Sequence, residues 1–177
     1  STEKIKTLRL LKTEYEDLMK NPISNIGLSV GLIDESDFFK WKFSLIGPEN
    51  SPYNAGLFYL KIIFPDDYPE KAPEICFINP IYHINVNPNL PNNKDGEPLG
   101  HICISTLNWW KKDTNLRQLL TNIFALFYLG NPESPYGLDR AKELSENKKL
   151  YDEKAKYFTK KYADMSLPDD QLQIEWT

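Results

Sequence analysis

Between residues 28 and 64 the chain alternates apolar and polar side chains with a period of two, and this pattern restricts the fold more than any other feature. Phe39, Trp41, Phe43 and Leu45 interleave with Lys40, Lys42 and Ser44. After the dense turn Gly47-Pro48-Glu49-Asn50-Ser51-Pro52 the alternation resumes at Phe58, Leu60, Ile62 and Phe64. Successive side chains of a strand point to opposite faces, so these segments read as half-buried antiparallel strands joined through a turn. With residues 28–34 before them and the short run 74–78 after, a four-stranded meander is predicted. One face of such a sheet can meet water, and the other needs a helical cover.

The two ends of the chain supply that cover. Residues 3–20 set Ile5, Leu8, Leu11, Tyr15 and Leu18 three or four apart, the spacing of one helix face, until Asn21-Pro22 ends the pattern. The opposite face opens with Lys4, Lys6, Arg9 and Lys12. Helical spacing returns at Leu116, Leu119, Leu120, Ile123, Phe124 and Phe127, nearly apolar all round, which predicts a buried central helix. Two more helices are expected over residues 138–147 and 148–163, the second with Tyr151, Ala155, Phe158 and Tyr162 in register. Residues 79–110 lack periodicity and are rich in Asn, Pro and Gly, and a long irregular segment in a compact domain tends to carry function. The expected class is α+β, with one core over residues 1–163. An acidic, flexible tail is expected over residues 164–177, which hold four acids and no base.

Composition narrows the function classes. A length of 177 residues suits one domain, and 21 basic against 25 acidic residues give a net charge of −4. No overall field favours polyanions, so nucleic acid is not an expected partner. The longest apolar run, residues 123–129, falls far short of the ~20 residues a membrane span needs. Two cysteines, Cys76 and Cys103, cannot make a four-thiolate zinc site, and His83 and His101 lack metal-ligand spacing, so no metal is expected. With no signal-peptide pattern and no N-x-S/T acceptor, the cytosol or nucleus is the expected compartment, and a monomer the expected state.

Cys76 lies in a strand-like run and reads as apolar filler. Cys103, in Gly100-His101-Ile102-Cys103-Ile104-Ser105, ends the irregular segment; a lone cysteine between two isoleucines is in itself more often filler as well. Several motifs nevertheless fall in one order around it. The basic amphipathic helix with Asn21-Pro22 is followed by Gly47-Pro48, Ser51-Pro52-Tyr53, Phe64-Pro65-Asp66-Asp67-Tyr68-Pro69 and Pro73. Next come Ile81-Tyr82-His83-Ile84-Asn85-Val86, similar to an aromatic-H-P-N-aliphatic signature, and the Cys103 segment, similar to G-x-aliphatic-C-aliphatic. Trp110, Asn131-Pro132-Glu133-Ser134-Pro135 and Tyr162-Ala163 complete the series. Over about residues 3–163 the chain resembles the ubiquitin-conjugating enzyme family.

That resemblance implies the ubiquitin-conjugating fold and an acyl transferase. Cys103 would accept ubiquitin, or a ubiquitin-like protein, as a thioester from an activating enzyme and pass it to a lysine of a protein substrate. A ubiquitin ligase would usually assist. ATP would be used by the separate activating enzyme, so no cofactor is expected on this chain. Asn85 would stabilise the oxyanion or brace the active-site loop, His83 and Tyr82 would support the turn, and Glu133 and Ser134 would border the lysine's approach. Lys4, Lys6, Arg9 and Lys12 match where the family meets its activating enzyme. A cis peptide is implied at Tyr68-Pro69.

Three departures accompany the resemblance. Ile84 replaces the proline of the signature, so the fixed backbone angle of proline is lost. The stretch between Asn85 and Cys103 is longer than usual, with residues 86–99 as an insert, and Asn87 or Asn89 competes for the Asn85 role. Glu70, Lys111 and Lys112 stand where ligases usually dock on apolar residues, which implies a different ligase set or ligase-independent transfer. Two other classes stay open at this point. One is a noncatalytic adaptor of the same fold, and the other a cysteine hydrolase pairing Cys103 with His83 or His101.

Overall fold

The computed structural model describes residues 1–23, 26–88, 100–102 and 109–166. Helix α1 (Thr2–Lys20) starts at Ser1, whose side chain accepts the Lys4 amide, and stops at Asn21, whose N–H bonds to the Asp17 carbonyl. Its buried residues are Thr7, Leu11 and Leu18. Ile5, expected on the core face, is exposed. The inward place in the first turns belongs to Thr7, whose hydroxyl lies 2.7 Å from the Asp66 carbonyl and 3.0 Å from that of Tyr68.

Five strands follow one another in an antiparallel sheet in chain order: β1 (Ser29–Leu32), β2 (Lys40–Ile46), β3 (Leu57–Ile63), β4 (Glu74–Phe77) and β5 (His101–Ile102). The alternation predicts the first three and the short run 74–78 the fourth. β5 lies in the aperiodic segment, and two residues are too few to show a period; it is defined by partners, with Ile102 opposite Ile75 and His101 opposite Cys76. In β2 and β3 the inward residues face each other as Trp41 with Ile62, Phe43 with Leu60 and Leu45 with Phe58, all buried. Each such side chain contributes about 1.5–3 kcal/mol through burial.

Helix α2 (Leu116–Ala125) lays Leu116, Leu119, Leu120 and Ile123 on that core, behind a capping box of Asn115 and Gln118. It is not buried all round: Gln118, Thr121, Asn122 and Ala125 are exposed. The apolar residues form one stripe, and the polar positions between them take the solvent. Arg117 fastens α2 to the end of α1 through Asp17 at 2.9 Å and the Asn21 carbonyl at 2.8 Å. Helices α3 (Leu138–Glu146) and α4 (Lys148–Tyr162) share Asn147, which closes the first through its N–H and caps the second through its side chain.

The end of α4 is tied to the sheet by Asn79, which is fully buried. Its side chain accepts the Tyr59 amide and donates to the Leu57 and Tyr162 carbonyls, while Leu57 N–H meets Ala163 O at 2.8 Å. Of the tail expected from residue 164, Asp164 pairs with Gly56 as an isolated bridge, and residues 167–177 lie outside the described residues. The Tyr68-Pro69 bond is cis. Among the described residues no helix is long and apolar enough to cross a membrane, and no three His, Cys, Asp or Glu side chains gather as metal ligands.

Gly47 tests the hairpin. A Cβ there would sit 1.8 Å from the Tyr53 carbonyl oxygen, inside a turn closed by Gly47 N–H to Gly56 O at 2.8 Å. The obstacle is backbone, so Gly47→Ala is expected to lower the unfolding free energy by on the order of 3 kcal/mol or more. Urea denaturation measures it, and a loss within the ~0.5 kcal/mol of an ordinary surface change would show that the turn relaxes freely.

Candidate active site

Residues 81–87 are all buried although they belong to neither helix nor strand. Their far end is laced to β5: Asn87 N–H donates to His101 O at 3.0 Å, and Gly100 N–H to Asn87 O at 2.9 Å. Gly100, with φ of 76°, also lies close on β4, where a Cβ would fall 2.0 Å from the Phe77 carbonyl oxygen. The turn carrying Asn85 is thereby joined to the strand that runs into Cys103. Cys103 and Asn89 themselves lie outside the described residues, as does most of the insert (residues 89–99), whereas Val86 and Asn87 are core.

The side chain of Asn85 is fully engaged with the segment after α2. Its Nδ2 donates to Asn131 O at 2.7 Å and Ser134 O at 3.1 Å, and its Oδ1 accepts Asn131 N–H at 2.7 Å. Asn131 Oδ1 accepts in turn the Glu133 N–H at 2.9 Å, leaving Glu133 exposed at the rim. Tyr136 adds a second fastening: its N–H donates to Ile84 O at 2.6 Å, and its hydroxyl lies 2.8 Å from His101 Nδ1. The structure thus gathers Tyr82, His83, Asn85, Glu133 and Ser134 about one turn beside β5, with Cys103 outside the described residues.

His83 is held at both ring nitrogens. Nε2 is 2.7 Å from Leu126 O, which can only accept, so Nε2 carries the proton, and Nδ1 accepts the Asn85 N–H at 3.0 Å. Burial, aided by Arg140, keeps its pKa down at about 4. Arg140 was not evident as a site residue in the sequence; it is buried, stacks 4.2 Å over the Tyr82 ring and points Nη1 at His83 O, 3.3 Å away. Nor were Tyr53, whose hydroxyl donates to Tyr82 O at 2.6 Å, and Tyr151, whose hydroxyl accepts Ile84 N–H at 3.0 Å. Tyr53 sits in the Ser-Pro-Tyr motif and Tyr151 in the helical register, but no pattern in either marks a hydroxyl aimed at this turn.

Cys76 is buried in β4, and desolvation pushes its thiol up to about 11, so little thiolate forms at neutral pH. The remaining expected positions are surface ones. Lys4, Lys6, Arg9 and Lys12 are exposed along α1, Lys4 beside Asp66 at 3.8 Å. Glu70, Lys111 and Lys112 are exposed on two loops that Trp110 joins through its Nε1–H to Pro69 O at 2.9 Å.

The His83 environment has a pH signature. The unfolded imidazole titrates near 6.5 and the folded one at about 4, so between these values the unfolded state binds more protons and stability rises with pH. The contribution is complete above the unfolded value and is lost as pH falls toward the folded one. From pH 7 to pH 5 it should amount to about 2 kcal/mol. His83→Gln, which keeps an amide N–H for Leu126, should be less stable at pH 7 but lose about 2 kcal/mol less over that interval. Urea titrations at both pH values check this, and parallel losses in the two proteins would clear His83 as the titrating group.

Comparison with known proteins agrees with this arrangement. A family profile described as ubiquitin-conjugating enzyme matches residues 10–159. Ubiquitin-conjugating enzyme E2 15 of Schizosaccharomyces pombe is 30% identical over 171 residues, covering 89% of this chain and 95% of that protein. A crystal structure from Plasmodium yoelii, assigned as a ubiquitin conjugating enzyme, superposes with a TM-score of 0.73 at 32% identity, covering 88% of this chain and 94% of that one. Since the profile runs from α1 to the last turn of α4 and both relatives are matched almost end to end, the chain belongs to the ubiquitin-conjugating enzyme family.

Proposed function

We propose that the protein carries ubiquitin or a ubiquitin-like protein as a thioester on Cys103 and transfers it to a substrate lysine. The observation that carries this reading is the lacing of β5, which leads into Cys103, to the Asn85 turn, and of that turn to the Asn131–Ser134 segment. In the first half-reaction the Cys103 thiolate attacks the thioester carbonyl on the activating enzyme, whose own thiolate leaves; like replaces like, at little thermodynamic cost. In the second, the lysine amine adds to the carbonyl, loses its proton, and expels the Cys103 thiolate as the amide forms. The exposed basic face of α1 suits a docking site for the activating enzyme. The loops of Glu70 and Lys111-Lys112 suit a ligase whose contact is polar rather than apolar.

For the role of Asn85, bracing is better supported than oxyanion donation. Both of its N–H groups and its oxygen are already committed to backbone groups of residues 131–134. A hydrolase that used His83 as its base is disfavoured, because neither ring nitrogen is free to take a thiol proton and the ring is a weak base.

Incubation with activating enzyme, ATP and ubiquitin tests the thioester. A thiol-sensitive adduct on nonreducing gels is expected for the protein and for Cys76→Ala, a thiol-resistant ester at most for Cys103→Ser, and none for Cys103→Ala. Charging of Cys103→Ala would overturn the assignment, and no adduct on any form would favour a noncatalytic adaptor.

Bracing makes its own demand on Asn85→Ala. Three hydrogen bonds at about 1 kcal/mol each should leave it about 2–3 kcal/mol less stable, with charging and discharge slowed to similar extents. Measured discharge to free lysine falling roughly a hundredfold or more while charging and stability stay intact would instead identify an oxyanion donor.

A further inference from the structure

Ile84 stands where the signature of this family has proline, and the exchange adds a backbone donor at a fully buried position. Ile84 is fully buried, its side chain pressed against Gly130, where a Cβ would come within 2.9 Å of Cγ1 and Cδ1. A buried N–H without a partner is costly. The partner here is the Tyr151 hydroxyl at 3.0 Å, reaching in from the first turn of α4. The Tyr53 hydroxyl holds the peptide group on the other side of His83, donating to Tyr82 O at 2.6 Å. Two hydroxyls thus grip the peptide groups on both sides of His83, Tyr151 at the Ile84 amide and Tyr53 at the Tyr82 carbonyl.

We propose that Tyr151 is a positioning residue for acyl transfer at Cys103: its hydroxyl accepts the Ile84 N–H and fixes the turn that carries Asn85, where the related signature has a proline ring. This rests on the Cys103 thioester reading. The grip acts through the backbone. Ile84 O receives the Tyr136 N–H, and the next residue, Asn85, clasps Asn131 and Ser134, so a turn released at the Ile84 amide would carry the clasp with it.

The test is a double-mutant cycle with Tyr151→Phe and Ile84→Pro, read as single-turnover discharge of the preformed thioester to free lysine, with Ile84→Val as a second background. Tyr151→Phe should slow discharge by roughly tenfold in the wild-type background, as expected when reacting groups are displaced, and by a similar factor in Ile84→Val, which keeps the N–H. In Ile84→Pro, which has no N–H to satisfy, the same substitution should change the rate by less than about twofold. Amide hydrogen exchange gives a readout that needs no activity. Exchange at Ile84 should accelerate roughly tenfold or more in Tyr151→Phe, while amides within α2 change little. An equal loss in the wild-type and proline backgrounds would overturn the proposal by showing that the effect does not pass through the Ile84 amide, and so would unaltered Ile84 exchange in Tyr151→Phe. If the proline variant does not fold, the exchange experiment on the other proteins decides. Absence of any thioester on the unmodified protein would refute the Cys103 reading separately, with the exchange result still judging the Tyr151 contact.

Discussion

A buried stretch of chain with no ladder of its own must find a partner for each peptide N–H and C=O, or lose about 1–3 kcal/mol for each one left alone. Residues 81–87 are such a stretch, and this requirement determines what surrounds them. Tyr53 meets the Tyr82 carbonyl, Tyr151 the Ile84 amide and the His83 ring the Asn85 amide; Arg140 and the Val86 amide share the His83 carbonyl. Tyr136 takes the Ile84 carbonyl, and both polar groups of the Asn87 backbone go to residues 100 and 101. Partners come from the β2–β3 turn, from β5 and from α3 and α4, so the elements that form the core also fix the site.

The same enclosure sets the charge states. A buried guanidinium is tolerable only where its charge is compensated, and Arg140 lies over the Tyr82 ring face, whose hydroxyl donates to Glu143 at 2.6 Å. Glu143 also holds Lys154 of α4 at 2.5 Å, so the α3–α4 pair is locked around Tyr82. With its carboxylate largely shielded, this pair contributes more than a freely exposed one. A second positive charge on His83 would face both Arg140 and a dry interior. Neutral imidazole, one nitrogen donating and the other accepting, is the only form that serves both neighbours.

What the sequence made legible followed from period. The alternation in β2 and β3 and the three-four spacing in α1, α2 and α4 place Trp41, Phe58, Leu11, Ile123 and Tyr151 correctly in the core, because burial of repeating apolar positions is what shapes those segments. The misses are polar or aperiodic. Thr7 and Asn79 are buried through hydrogen bonds to backbone groups some 20 to 80 residues away, which no local pattern encodes. Ile5 satisfies the helical spacing yet faces solvent, since periodicity ignores where the partner sheet ends. α2 looks apolar all round if only its large residues are counted, although its polar positions share one exposed face. The site was legible through motif order rather than physics. Asn85 and His83 could be named from the signature, but the hydroxyls and the guanidinium that hold them depend on tertiary contacts alone.

These arrangements bear on where the proton of the attacking amine can go. His83 is a poor base with both nitrogens engaged, and the Asn85 amide is committed to residues 131–134, so these two buried side chains offer orientation rather than proton transfer. Glu133, however, stands exposed at the rim on a backbone fixed in two steps: Asn85 Oδ1 holds the Asn131 amide, and Asn131 Oδ1 holds the Glu133 amide. The interior asparagine thereby sets the place of an acid that it never touches. In the proposed transfer, a thioester needs little activation once an amine is held in line with its carbonyl, and a solvated carboxylate at the entrance can steer the incoming ammonium and relay its proton to water. Rigid burial at residues 81–87 and wet polarity at residue 133 are then two ends of one hydrogen-bonded path, and in the proposed transfer the first would supply geometry and the second charge.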